Sequence, residues 1–168
     1  MLTYHPALDP YHSAFRILRI LSTIESGQLE TDKIRILDFL LLFPHLLLEM
    51  RLPQKTKAQV RKLPIKPNAY SLTSSPRVVF ARIATLQHQA IRILATAGLL
   101  KIEDPNHLLI SKTVANSPPS LKNAVDERNR QEAGVIQTLA RDIATIPLLG
   151  SDGLKARTNL MESRYDPT

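Results

Sequence analysis

Residues 76–112 read PRVVFARIATLQHQAIRILATAGLLKIEDPNHLLISK, and a change of hydrophobic period inside this stretch decides the fold class. Up to Gly98 the apolar residues Val79, Ile83, Leu86, Ala90, Leu94 and Ala97 recur at helical spacing. A helix is therefore predicted from about Pro76 or Arg77 to Gly98, with Ser75 as its cap and the glycine as its stop. Beyond Gly98 the period shortens. Residues 99–103 (LLKIE), 104–106 (DPN) and 107–111 (HLLIS) read as strand, turn and strand, with Pro at the second turn position and Asn at the third. Helix, glycine and hairpin in succession is how a winged-helix module ends, and the same succession also occurs in unrelated α+β folds. The expected class is mainly α: a helical domain with a winged-helix-like helix-plus-β-hairpin at about 99–112 and a long C-terminal helix.

Outward from that stretch, the flanking segments supply further helices. Asp9-Pro10 opens the first, since a carboxylate can cap the free amides and Pro suits the first helical position. Ala14, Phe15, Leu18, Leu21 and Ile24 form its apolar stripe, and Gly27 is the expected stop. A second helix begins near Thr31. From Ile34 to Phe43 it is apolar on nearly every side, the mark of an element surrounded by others, and Pro44 should end or kink it. Within it Asp38 needs a partner, for which Arg35 is the nearest candidate by sequence. Ser120 is the expected cap of the final helix, 120–146, which is polar on most faces between Lys122 and Glu132 and so projects or packs on a partner. A tail, 150–168, follows. The 168 residues fit a single domain, 1–168.

Charge is distributed unevenly. Of 22 Lys and Arg, nine lie between residues 51 and 100, where no acid occurs: Arg51, Lys55, Lys57, Arg61, Lys62, Lys66, Arg77, Arg82 and Arg92. The remaining 118 residues hold 13 basic and 15 acidic side chains, so the net +7 belongs to one central segment. Part of that segment, 51–76, is broken by Pro53, Pro64, Pro67 and Pro76 and reads as a long basic loop with at most a turn or two of helix around Thr56 to Leu63. The rest lies on the helix of the opening stretch. There Arg82, Thr85, Gln89, Arg92 and Thr96 share one polar face without an acid. The candidate site for DNA or an acidic partner is therefore Arg51, Lys55, Lys57, Arg61, Lys62 and Lys66 with Arg82, Gln89 and Arg92; the competing reading is a solvated surface. Only Tyr70 supplies an aromatic within the loop, so phosphate contact is indicated rather than reading of base edges.

Catalytic signatures are scarce. The chain has no Cys, and its five Gly are scattered, so thiol chemistry, disulfides and a glycine-rich phosphate loop are excluded. The five His show no metal-ligand spacing. The tightest polar group is Tyr4, His5, Asp9, Tyr11 and His12. It could form a metal pair or a His–Asp dyad, but capping and first-turn packing account for Asp9 and His12 equally directly. No signal sequence or membrane span is read from the chain, so a cytoplasmic protein is expected, with no cofactor.

Residues 4–19 (YHPALDPYHSAFRILR), 35–44 (RILDFLLLFP) and 154–166 (LKARTNLMESRYD) resemble the small middle components of bacterial ABC-three-component systems, which include the Lamassu type of antiphage defence. The resemblance implies a non-catalytic adaptor in a complex with an SMC-like ATPase and an effector, such as a nuclease, of the same operon. Double-stranded DNA is a further possible partner through its phosphates. The rival is a free-standing winged-helix regulator that places Arg82, Gln89 and Arg92 in the major groove.

Overall fold

The computed structural model describes residues 9–66, 74–104, 106, 108–113 and 116–162. Tyr4, His5, Tyr70, Pro105, His107 and Tyr165 lie outside the described residues. The architecture is mainly helical with a small antiparallel sheet that contains the expected hairpin.

Helix α1 (Pro10–Thr23) begins as its sequence requires. Asp9 is extended, its carboxylate accepts from the Tyr11 amide at 2.8 Å, and Pro10 fills the first turn. The helix ends at Thr23, short of Gly27, because the following residues are drawn into a sheet. The Gly27 carbonyl accepts from the Lys112 amide at 3.1 Å, and the Lys112 ammonium donates to the Ile24 carbonyl. Strand β1 (Gln28–Glu30) results, and it leads directly into α2 (Thr31–Leu42). Ile34, Ile36, Leu37, Phe39 and Leu40 of α2 are completely buried, as expected for an element covered on all sides. Pro44 then replaces the α-helix with a 3-10 turn, Pro44–Leu48, which buries Leu46 and Leu47.

Within the basic 51–76 segment a two-turn helix, α3 (Gln54–Val60), is anchored by buried Thr56 and Val60. The helix of residues 76–98 is present but broken at Ile83 into α4 (Pro76–Arg82) and α5 (Ala84–Thr96). Ser75 caps α4 through the Val78 amide. The break turns both Phe80 and Ile83 into the core. Phe80 meets Phe39 edge to face at 5.3 Å, and the Arg35 guanidinium lies 4.9 Å from the Phe80 ring centre.

Gly98 has φ of +72°, the left-handed conformation that ends a helix, and β2 (Leu100–Ile102) and β3 (Leu109–Lys112) follow. The Asp104 carboxylate closes the hairpin by accepting from the Leu108 and Leu109 amides at 2.8 and 2.9 Å. Strand order is β1-β3-β2, with Leu29 and Ile102 both opposite Ile110, so the sheet turns a small apolar face to the helices.

The final helical stretch runs as α6 (Pro119–Gln131), α7 (Ala133–Thr138) and a π-helical turn (Leu139–Ile143). Ser120 does not cap it: Pro119, whose ring suits the first turn, starts the helix after Pro118, and Ser120 lies within that turn. The interruption at Glu132 has φ of −119° and ψ of 31°, outside helical geometry. A short helix, α8 (Leu154–Thr158), docks the tail through buried Leu154 and Leu160. Helix α1 lies at the centre, packing on α2, α5, α6 and α7.

Candidate interaction surface and the buried ionic network

The cations that the sequence singles out fall into two groups with different packing partners. Helix α3 and the turn after it carry Lys55, Lys57, Arg61, Lys62 and Lys66, and α3 packs on α7 and the 44–48 turn. Arg82 lies on α4, and Gln89 and Arg92 on α5, which packs on α1, α4 and β2. Within the first group Lys57 is half-buried; the other four are exposed, as are Arg82, Gln89 and Arg92. Among the described residues none of these side chains has an ion-pair partner. Thr85 and Thr96 share the exposed side of α5 with Gln89 and Arg92.

Arg51 differs from the rest. Its guanidinium donates to the Ser151 carbonyl at 3.4 Å, and its own carbonyl accepts from the Arg157 guanidinium at 2.5 Å. It belongs to the contact that holds the tail in place. Arg77, outside the candidate set, pairs with Glu162 at 3.3 Å on the surface.

Charge inside the fold is organised differently. Asp38, with no solvent exposure, accepts from Arg16 Nε at 2.7 Å, Ser13 Oγ at 3.1 Å and Gln87 Nε2 at 2.9 Å. Its counter-charge thus comes from α1 and not from Arg35, the neighbour that sequence proximity favours. At i+3 on one helix Arg35 points elsewhere: Nε donates to Gln87 Oε1 at 3.2 Å and Nη1 reaches Asp32 at 2.9 Å. Gln87 Nε2 also donates to the Arg35 carbonyl at 2.9 Å, so one amide links α5 to both ends of the network. A polar residue between the apolar positions Ile83, Ala90 and Leu94 is the signal in the sequence that such a partner exists. The arrangement satisfies every group of a buried carboxylate, which is what tolerance of such a charge requires.

A second cluster joins α1 to the α6–α7 junction. Arg19, almost fully buried, donates to Asn129 Oδ1 at 2.9 Å and to Glu132 at 2.5 Å, while Arg128 reaches the other oxygen of the same carboxylate at 2.9 Å. Burial holds the Arg19 guanidinium below its ordinary pKa, opposed by the bond to Glu132. Beside this cluster lies a groove of about 890 Å³. Sequence reasoning misses it, because four segments remote from one another in the chain build its walls.

Asp9 is engaged at the start of α1, and His12 lies exposed on the first turn with a partner of its own. Among the described residues no group of three or more His, Asp or Glu side chains could hold a metal ion, and no helix is long and apolar enough to cross a membrane.

The fold and its polar groups define a small helical subunit with a β-hairpin, a satisfied ionic interior and a set of exposed cations without ion-pair partners among the described residues. The model of the family described as ABC-three component (ABC-3C) system Middle Component 5 matches residues 2–166, nearly the whole chain, and the chain belongs to that family. A middle component is one part of a multi-component system, so partner subunits are implied. Comparison with curated proteins and with solved structures found no match in either set.

Proposed function

We propose that this middle component is a non-catalytic adaptor, which holds an SMC-like ATPase and an effector such as a nuclease together in a Lamassu-type defence complex in the cytoplasm. The observation that carries the reading is the division of charge: the buried Asp38, Arg16 and Arg19 are held in ion pairs, whereas Lys55, Lys57, Arg61, Lys62, Lys66, Arg82 and Arg92 have no ion-pair partner among the described residues. Unpaired surface cations keep their full attraction for an anionic partner, because no internal carboxylate competes for them. Arg51, Lys55, Lys57, Arg61, Lys62, Lys66, Arg82, Gln89 and Arg92 would meet DNA phosphates or an acidic protein surface.

Co-expression with the products of the neighbouring genes, followed by pull-down through this chain, tests the adaptor role. Recovery together with an ATPase and an effector is expected, and recovery of this chain alone overturns it. Duplex contact through phosphates alone predicts sequence-blind binding with a log–log salt slope of about −0.9 per phosphate.

The second reading, a free-standing winged-helix regulator, is favoured by the sheet order β1-β3-β2, in which the strand between the first two helices completes the hairpin. It places the exposed Arg82, Gln89 and Arg92 in the major groove. Sequence-selective binding by the isolated chain, relaxed by Arg92→Ala, would distinguish it from the adaptor.

A further inference from the structure

The 890 Å³ groove opens between the first half of α1, the end of α2, residues 64–66 and the α6–α7 junction. Its floor is apolar, formed by Phe15, Leu41, Leu42, Ile65 and Val135, side chains that pack on the core and still line the open space. Pro44 and Pro64 stiffen two of its edges. Gly134 brings the walls together: a Cβ at this position would lie 2.6 Å from the Leu63 side chain, so the helix junction sits directly against the 61–66 turn.

The rim is cationic, and its cations outnumber their counter-ions. Arg16, Arg19, Lys66 and Arg128 line the groove, and among the described residues Glu132 is the only carboxylate that does. Asp38 neutralises Arg16 from behind. Glu132 alone serves both Arg19 and Arg128, and Lys66 has no ion-pair partner among the described residues. Four positive side chains thus share two carboxylates. A guanidinium as deeply buried as that of Arg19, with half a carboxylate for its counter-charge, gains from any further anion placed beside it.

An apolar floor and a cationic rim select for one kind of occupant. A nucleic-acid backbone would satisfy the rim but leave the apolar floor without a partner. A second copy of this chain is itself strongly basic, and residues 1–8 and 67–73, which adjoin α1 and Lys66 in the sequence, contain no acid.

The geometry points to this groove as the docking site for a peptide segment of another protein subunit, one that inserts apolar side chains onto Phe15, Leu41 and Val135 and places carboxylates against Lys66 and the Arg19/Arg128 pair. This deepens the adaptor reading and rests on it, for it names the chemistry of one of the two partners. Anchors spaced by three or four residues on a helix would suit such a groove.

The experiment uses the co-expressed complex. A photo-crosslinking amino acid is placed at Gln131, an exposed groove-lining position, and the crosslinked peptides are identified by mass spectrometry. The expected product joins position 131 to a segment of a partner subunit in which Asp and Glu outnumber Lys and Arg. In parallel, Lys66→Glu should weaken binding of that subunit at least about tenfold while the unfolding midpoint stays unchanged. A crosslink to DNA, to a basic segment, to a second copy or to residues 1–8 overturns the proposal, as does an unchanged Kd. If the wild type assembles and Lys66→Glu assembles equally well, the groove loses its role and the adaptor stands. If the wild type retains no partner, both fall.

Discussion

The α1–α2–α5 interface and the α3 surface both concentrate charge, and they treat it in opposite ways. At the interface Asp38 is held within hydrogen-bond distance of Arg16, Ser13 and Gln87 and shielded from water. On and after α3, Lys55, Arg61, Lys62 and Lys66 stand in solvent without a counter-ion among the described residues. The first arrangement couples three helices and is costly to disturb, since a charge left unpaired in a dry interior loses its hydration without recompense. The second contributes almost nothing to holding the chain together and is free to act on something else. The same residue types therefore carry stability in one place and are left available to a partner in the other, and only packing decides which.

Altering the interior should break this contrast most visibly. Arg16→Ala strands the Asp38 carboxylate and should destabilise by about 3–5 kcal/mol, read as a lowered urea midpoint at unchanged slope. Replacing both members, Arg16→Met with Asp38→Leu, removes the charge together with its partner and should cost less than the single change; an equal or larger loss would show that the pair does more than neutralise itself. Gln87→Ala comes next, at about 1–3 kcal/mol, because it removes one donor from Asp38 and the acceptor of Arg35 Nε at once. Asp9→Ala sits at the edge of the fold and should cost about 1 kcal/mol by freeing the Tyr11 amide.

How much of this is legible in the sequence follows from how local each feature is. The cap at Asp9, the end of a helix at Gly98 and the hairpin after it depend on neighbours in the chain, and the structure has all three. Strand β1 is invisible to such reasoning: its three residues, Gln28, Leu29 and Glu30, have one apolar side chain and no period of their own, and pairing with β3 creates the strand. The partner of Asp38 eludes it for the same reason in reverse. Sequence distance favours Arg35 on the same helix, whereas the packing of α1 on α2 delivers Arg16, 22 positions earlier. The break at Glu132 and the groove beside it are tertiary throughout, since Arg19 from α1 shares the very carboxylate at which the final helix is interrupted.

A smaller effect is gated by pH. Glu103 is held below the ordinary carboxylate value by the Ser111 hydroxyl across the hairpin and then by the Lys101 ammonium two residues earlier in the chain. A carboxyl whose pKa is lower folded than unfolded adds stability above its unfolded value, 4.5, and loses it as pH falls through the folded one. Amide protection in β2 and β3 should therefore decline on acidification below that value more steeply in the wild type than in Glu103→Gln, and identical profiles would deny Glu103 any part in holding the hairpin.

The smallest expected change in stability is the most informative for function. Neutralising Lys55, Lys57, Arg61 and Lys62 to Gln together touches no ion pair among the described residues, so the unfolding free energy should change by no more than about 0.5 kcal/mol per site and in either direction. The same variant should elute earlier from a heparin column and, if the surface meets duplex DNA, show a salt slope reduced by about 0.9 for each phosphate it no longer reaches. An intact fold with unchanged retention would mean that these cations only keep the surface hydrated. An intact fold that keeps its polyanion affinity but loses a protein partner would assign the α3 surface to an acidic subunit. That result would leave Arg82, Gln89 and Arg92, on the separate surface of α4 and α5, as the remaining candidates for DNA.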